Sequence, residues 1–156
     1  MTRDEVEVAY LALAKQWHPD RVGPDDLAAK RRSMEASAAI NVAYRALRDP
    51  VTRLEYLVKL GGVDLDSSDP KTGAPAPTQA FLVDMIERRE GLSDARQGGT
   101  LAGFRGEVED AEEEAVDAAL AAITEGDTPA AAQSLVQRRY WQRLLDEIDD
   151  TEHTST

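Results

Sequence analysis

The sequence predicts an all-α protein, with a helical hairpin in its first half and a three-helix bundle in its second half. Apolar residues recur at steps of three and four through most of the 156-residue chain, which is the spacing of helices with one buried face. No segment alternates apolar and polar residues as a half-buried strand does. Glycine and proline interrupt the helical pattern between the segments described next.

The first helix is predicted to begin at Thr2 and to end before Pro19. Thr2 and Glu5 have the spacing of a capping box. Pro19 lacks a backbone donor and disfavours helical geometry at the residue before it, so we expect His18 and Asp20 on an exposed loop. One face of this helix carries apolar side chains at steps of four, three and four, namely Val6, Tyr10, Leu13 and Trp17.

Two further helices complete the first half. The second opens at Leu27, and its apolar face repeats the same spacing at Ala36, Ile40, Ala43 and Leu47. Asp49 is a suitable cap for the third helix and Pro50 suits its first position. The pattern predicts an antiparallel hairpin with His-Pro-Asp exposed between its helices.

Segment 66–78 divides the chain, because it contains three prolines and almost no apolar side chains. We therefore predict an N-terminal domain at residues 1–65 and a linker at 66–77. The three-helix bundle is predicted at 78–152, and a disordered polar tail at 153–156.

The fourth helix, from Thr78 or Gln79 to about Arg96, carries two apolar stripes where a surface helix needs one. The first stripe is a normal core seam of Phe81, Met85 and Leu92. The second stripe consists of Leu82, Val83 and Ile86, interleaved with Glu87 and Glu90. Either another helix of the bundle buries this second stripe, or a partner protein does.

Each of the last two helices is predicted to begin after a short turn. The fifth is predicted at residues 101–124, and the sixth is predicted to be capped by Thr128, with Pro129 in its first turn. On the sixth helix one arc is apolar, formed by Trp141, Leu144, Leu145 and Ile148, with Tyr140 on its flank.

Composition excludes several classes of protein. The chain has no cysteine and two histidines, which rules out disulfides, thiolate metal sites and His-rich sites. Residues 78–156 hold 7 Lys and Arg against 18 Asp and Glu, and this acidity argues against a nucleic-acid partner. No apolar run is long enough to span a membrane, so we expect no membrane partner and a cytoplasmic protein.

A helix, an exposed His-Pro-Asp sequence and a second helix follow one another here. This is the layout of a J-domain, the module by which co-chaperones stimulate an ATPase chaperone of the DnaK class. Around Trp17-His18-Pro19-Asp20-Arg21 the chain resembles any J-domain. Three other blocks resemble the HscB family of co-chaperones of iron-sulfur cluster assembly: 39–50 (AINVAYRALRDP), 53–57 (RLEYL) and 81–90 (FLVDMIERRE). The resemblance covers nearly the whole chain and is weakest between Gln97 and Gln133.

This resemblance implies two binding surfaces on an adaptor that is not an enzyme and has no cofactor. The J-domain would dock on an HscA-type ATPase chaperone through His18, Pro19 and Asp20, helped by the basic side chains of Lys15 and Arg21. The bundle would bind an IscU-type scaffold protein, on which clusters are built. By position, the scaffold-binding residues would be Leu82, Val83, Ile86, Glu87, Glu90 and Tyr140.

The sequence is also compatible with other functions. A J-domain co-chaperone of DnaK serving a different client would carry the same motif, and a structural helical protein could carry it by accident. An enzyme could use His18 and Asp20 as base and orienting group, although an exposed loop supplies no pocket or nucleophile.

One departure from the family concerns the start of the sequence. HscB proteins begin with a short apolar helix that is not found ahead of Thr2. We therefore expect uncovered apolar surface near Tyr10 and Leu57, and an N-terminal domain less stable than in relatives.

Overall fold

The computed structural model describes residues 2–154, which form six α-helices and one short 3-10 turn. The predicted all-α class is confirmed. In chain order the elements are α1 (Arg3–Gln16), the 3-10 turn (Pro19–Arg21), α2 (Leu27–Arg48), α3 (Pro50–Leu60), α4 (Gln79–Gly98), α5 (Leu101–Thr124) and α6 (Thr128–Thr154). The chain divides into two compact units, Met1–Tyr56 and Leu57–Thr156.

In the first unit α1 packs along α2. The predicted capping box begins α1: Glu5 N–H donates to the Thr2 hydroxyl at 3.3 Å, and Thr2 N–H donates to the Glu5 carboxylate at 2.6 Å. The rings of Tyr10 and Tyr44 stack with their centroids 4.0 Å apart. Tyr10 donates its hydroxyl hydrogen to the side chain of Asn41. The two contacts of Tyr10 join α1 to α2.

The boundary between the units falls within α3. Asp49 caps this helix by accepting the backbone N–H of Thr52 at 2.9 Å, and Pro50 takes the first helical position as predicted. Val58, on the second-unit side, is fully buried. Gly61 follows α3, and a Cβ built there would lie 2.6 Å from the side chain of Thr128. Only glycine allows this close approach without displacing Thr128.

In the second unit α4, α5 and α6 form the predicted three-helix bundle around one apolar core. The turns between its helices use glycines in the left-handed conformation, Gly99 at φ +72° and Gly126 at φ +78°. α4 contributes its first stripe to the core, and α6 contributes its predicted apolar arc. The buried members of this core are Phe81, Met85, Leu92, Val108, Ala115, Trp141, Leu144, Leu145 and Ile148.

Between α3 and α4 the chain forms an ordered turn. The backbone N–H of Asp64 donates to the carbonyl of Thr72 at 2.7 Å, and that of Ala74 donates to Ser67 at 2.9 Å. Leu65 is buried, and the Arg139 guanidinium donates to its carbonyl at 2.9 Å. Backbone and side-chain hydrogen bonds therefore order a segment whose composition offers little apolar surface.

The structure divides the chain between residues 56 and 57, whereas the sequence predicted a division at residue 65. The predicted linker, 66–77, belongs to the second unit. α6 continues to Thr154, so His153 and Thr154 of the predicted tail are helical, and residues 155 and 156 lie outside the described range. Within residues 2–154, no helix is long and apolar enough to cross a membrane.

Candidate functional site

The His-Pro-Asp sequence lies on the 3-10 turn between α1 and α2. α1 ends at Gln16, because Pro19 cannot continue the helix and turns the chain away. The side chain of His18 is 58% exposed and that of Asp20 is 91% exposed. The predicted exposure of His18 and Asp20 is therefore observed, and Pro19 between them is half-buried.

His18 also organises the turn that follows it. Its Nδ1 accepts the backbone N–H of Asp20 at 3.2 Å, which makes His18 the N-cap of the 3-10 turn. Its carbonyl accepts the N–H of Arg21 at 3.0 Å. Since Nδ1 acts as an acceptor, the proton of the neutral imidazole resides on Nε2. The ring thus offers solvent a hydrogen-bond donor.

The two basic residues that the sequence associates with this turn are both exposed. Lys15 lies in the last turn of α1, and Arg21 ends the 3-10 turn. A cleft beside the turn, about 260 Å³ in volume, is lined by Tyr10, Ala14, His18, Pro19, Ser37 and Asn41. The first unit therefore places an imidazole, a carboxylate and two cations on one exposed end of the hairpin.

Two serines on α2 contact this region, and neither is among the residues predicted for the site. The carbonyl of Trp17 accepts the hydroxyl of Ser33 at 2.6 Å and that of Ser37 at 2.9 Å. In the part of the chain that the structure describes, Ser33 is the only buried polar residue. The sequence offered one signal, two serines one helical turn apart on a helix that must face α1.

The second stripe of α4 is exposed to solvent. Leu82, Val83 and Ile86 are 40%, 50% and 59% exposed, and Glu87 and Glu90 beside them are exposed as well. The opposite side of α4 packs Phe81, Met85 and Leu92 into the bundle core. Of the two alternatives for this stripe, burial by another helix of the bundle is therefore wrong.

Tyr140 occupies a different environment from the stripe. It lies on α6, half-buried, with its ring edge-on to Phe81 at a centroid distance of 5.6 Å. The guanidinium carbon of Arg143 lies 4.8 Å from the centre of the same ring. The structure therefore places Tyr140 against the core side of α4, whereas the other five predicted scaffold-binding residues are exposed on α4 itself.

An exposed His-Pro-Asp turn between two packed helices defines a J-domain protein. The DnaJ domain family model matches residues 1–56. A second family model, described as the HSCB C-terminal oligomerisation domain, matches residues 77–149. The chain therefore belongs to the HscB family of J-domain co-chaperones.

Relatives support this assignment over almost the full chain. A co-chaperone protein HscB homolog of Neisseria meningitidis is 32% identical over 148 residues, which cover 93% of this chain and 87% of the relative. The homolog of Bordetella avium is 35% identical over 145 residues, covering 92% of this chain and 84% of the relative. Both relatives are named as co-chaperones, and neither is named as an enzyme.

Two solved structures share the fold. The chaperone HscB from Vibrio cholerae superposes with a TM-score of 0.73 at 22% sequence identity, covering all of this chain and 92% of the other. The human co-chaperone protein HscB superposes with a TM-score of 0.75 at 24% identity, covering 97% and 75%. At these identities the likeness establishes the fold alone.

Proposed function

We propose that this protein delivers an IscU-type iron-sulfur scaffold protein to an HscA-type ATPase chaperone in the cytoplasm and stimulates ATP hydrolysis by that chaperone. The observation that carries the proposal is the exposure of both predicted binding surfaces in a chain of the HscB family. One surface is the His18-Pro19-Asp20 turn of the first unit. The other is the α4 stripe, Leu82, Val83 and Ile86.

The exposed polar groups of the turn are suited to binding another protein. The imidazole Nε2–H of His18 is a donor, the carboxylate of Asp20 is an acceptor, and Lys15 and Arg21 supply positive charge. A chaperone surface that is acidic beside its docking groove complements this set, and such complementarity accelerates encounter. Binding that is tighter to the hydrolysing conformation of the chaperone shifts its population toward that conformation. The protein thereby stimulates hydrolysis without acting on the nucleotide.

The α4 stripe has the apolar surface of a protein–protein interface. Three adjacent aliphatic side chains are exposed, although the bundle core is complete on the other side of the helix. Exposed apolar patches with a polar rim are typical of binding surfaces. Glu87 and Glu90 supply that rim and favour a scaffold surface with basic groups at the edge of an apolar patch.

A His18→Gln variant tests the first surface. We expect the wild-type protein to raise the ATPase rate of an HscA-type chaperone, more strongly with the scaffold present, and the variant to lose this stimulation. The control is Tyr44→Phe, which removes the hydrogen bond from Tyr44 to Glu7 without touching the turn. Undiminished stimulation by the His18 variant excludes the mechanism. Stimulation of DnaK alone, with no response to the scaffold, favours a co-chaperone with a different client.

A Leu82→Ala and Ile86→Ala double variant tests the second surface. We expect weaker binding of the scaffold in isothermal calorimetry, by about tenfold or more, because apolar anchors near the centre of an interface carry much of its energy. Helicity is expected to stay unchanged, since both side chains are exposed. Leu120→Ala is the matched control, because Leu120 is 54% exposed on α5 and lies outside the stripe. Unchanged scaffold binding by the double variant excludes this surface.

A further inference from the structure

Two hydrogen bonds to one carbonyl, that of Trp17, connect the start of the His-Pro-Asp turn to α2. Trp17 is the C-cap residue of α1, and its carbonyl is one of the groups that a helix leaves without an intrahelical partner at this end. Ser33 and Ser37 both donate to it, at 2.6 and 2.9 Å. A carbonyl oxygen has two lone pairs, so the two hydroxyls together satisfy it.

This carbonyl determines how the chain enters the turn. The oxygen of Trp17 and the nitrogen of His18 belong to one planar peptide group. Fixing the oxygen from two directions therefore fixes the plane on which His18 is carried. By contrast, the bonds from Asp20 and Arg21 to His18 set the internal shape of the turn and leave its orientation relative to α2 open.

The two serines lower the helix propensity of α2. Serine is a weaker helix former than alanine by about 0.5 kcal/mol, because its hydroxyl competes with backbone hydrogen bonds. A serine inside a helix commonly bonds to a carbonyl of its own preceding turn. Ser33 and Ser37 donate instead to the end of a different helix, and Ser33 is only 4% exposed. Both hydroxyls are thus directed at a single acceptor, immediately before His18.

We propose that Ser33 and Ser37 are positioning residues that hold the His18-Pro19-Asp20 turn in the orientation bound by the ATPase chaperone. This inference rests on the proposed function of the turn as the docking site. Without the two hydroxyls, the peptide group before His18 rotates among several orientations. The chaperone then binds only the fraction of molecules in the correct one, which raises the apparent dissociation constant by the inverse of that fraction.

The experiment titrates the full chain into a DnaK-class ATPase chaperone of the HscA type and measures the rate of ATP hydrolysis. For Ser33→Ala with Ser37→Ala we expect the half-saturating concentration to rise about tenfold, the equivalent of roughly 1.4 kcal/mol lost over two hydrogen bonds. Maximal stimulation is expected to stay at the wild-type level, because His18, Pro19 and Asp20 are all present. His18→Gln, in contrast, is expected to lose maximal stimulation.

Controls separate positioning from simple loss of structure. Tyr44→Phe also removes a hydrogen bond between α1 and α2, but at a distance from the turn, and is expected to leave the half-saturating concentration unchanged. Ser37→Thr retains a hydroxyl and is expected to restore most of the affinity that Ser37→Ala loses. Should the double variant fail to fold, Ser37→Ala alone serves, since Ser37 is only half-buried.

Amide hydrogen exchange supplies a readout that needs no chaperone. We expect the amides of Asp20, Arg21 and Val22 to exchange several times faster in the double serine variant, and at the wild-type rate in Tyr44→Phe. Unchanged exchange and an unchanged half-saturating concentration overturn the inference. A loss of maximal stimulation in proportion to a lowered melting temperature also overturns it, because the serines would then be structural. A wild-type protein that stimulates no chaperone overturns the proposed function, while faster exchange in the variant still supports the geometric role.

Discussion

Single polar side chains determine local order where apolar burial is small. In the segment between α3 and α4, the carboxylate of Asp69 accepts the backbone N–H groups of Lys71 at 2.7 Å and Thr72 at 3.1 Å. These bonds, from Lys71 first and then Thr72, lower the pKa of Asp69 below its ordinary value of 3.8. The ionised carboxylate is the form that holds this turn.

A pH dependence follows for Asp69. Because its pKa is lowered in the folded protein, its contribution to stability is present above about pH 3.8 and is lost as the pH falls through the lowered value. We expect the carboxyl carbon of Asp69 to titrate below 3.8 in an NMR titration. At neutral pH, Asp69→Ala is expected to accelerate amide exchange at Lys71 and Thr72, whereas Asp94→Ala, an exposed change on α4, leaves it unaltered. Titration at or above 3.8 contradicts the interpretation.

The His-Pro-Asp turn could be predicted from the sequence, because a proline beyond the first turn of a helix disfavours continuation of that helix. The exposure of His18 and Asp20 followed from that break. The role of Ser33 was harder to predict, because it depends on which carbonyl the fold brings within reach, and the spacing of Ser33 and Ser37 was its only signal. The bonds to Asp69 come from the second and third residues after it, which is the local pattern of an Asx turn, but the sequence prediction treated this segment only as a linker.

At the scale of the elements, helix limits were predicted closely because their signals are local. Thr2 and Asp49 cap the helices that the sequence assigned to them. The predicted cap of α6, Thr128, is wrong: Thr128 is the first helical residue, and Asp127 accepts the N–H of Ala130 at 3.0 Å. The C-terminal end of α6 differs, since the predicted polar tail stays helical as far as Thr154. Contacts from α4 and α5 support that end: Arg96 donates to Thr151, and Arg105 pairs with Asp149 and Glu152. The polar composition after Asp149 gave no sign of these partners.

The two stripes of α4 look alike in sequence and differ only in what packs on them. Leu92 is 3% exposed within the bundle core, whereas Leu82 is 40% exposed on the opposite stripe. Periodicity identified the first stripe as the core seam, but it could not say whether another helix also covers the second stripe. The resemblance to a family with a scaffold-binding bundle was what favoured a partner over a third helix.

A matched pair of leucine truncations on α4 measures this difference. Leu92→Ala is expected to lower the free energy of unfolding by about 3 kcal/mol, through lost burial and the cavity left behind. Leu82→Ala is expected to cost less than about 1 kcal/mol, since its side chain already contacts water. Urea denaturation followed by circular dichroism compares the two variants. Equal losses would show that Leu82 belongs to the core and not to a binding surface.

For the molecule as a whole, charge and core are unequally divided between the units. Residues 1–56 hold 9 Lys and Arg against 9 Asp and Glu, while residues 57–156 hold 9 against 21. The first unit has no net charge and carries cations near its His-Pro-Asp turn, so its electrostatic field differs from that of the strongly acidic second unit. Each unit therefore has the electrostatic character to select its own class of partner.

Core size predicts unequal stability of the two units. Among the described residues, the first unit buries two apolar side chains, Val6 and Leu54, while 18 others are buried in the second unit. A small core leaves less stabilisation to offset chain entropy. We expect amides in the middle of α1 and α2 to exchange about thirtyfold faster than those of α5 and α6, equivalent to about 2 kcal/mol.

Hydrogen exchange with mass spectrometry in increasing urea measures this difference on the unmodified chain. Peptides from α1 and α2 are expected to lose protection at lower urea than peptides from α5 and α6, which would contain the buried Val108 and Leu144. Equal protection, with the same dependence on urea, would show that the chain unfolds in one cooperative step. Because the proposed docking turn lies in the first unit, added chaperone is expected to protect α1 and α2 first, by mass action on their folded state. Protection of α5 and α6 alone would instead place the chaperone on the bundle.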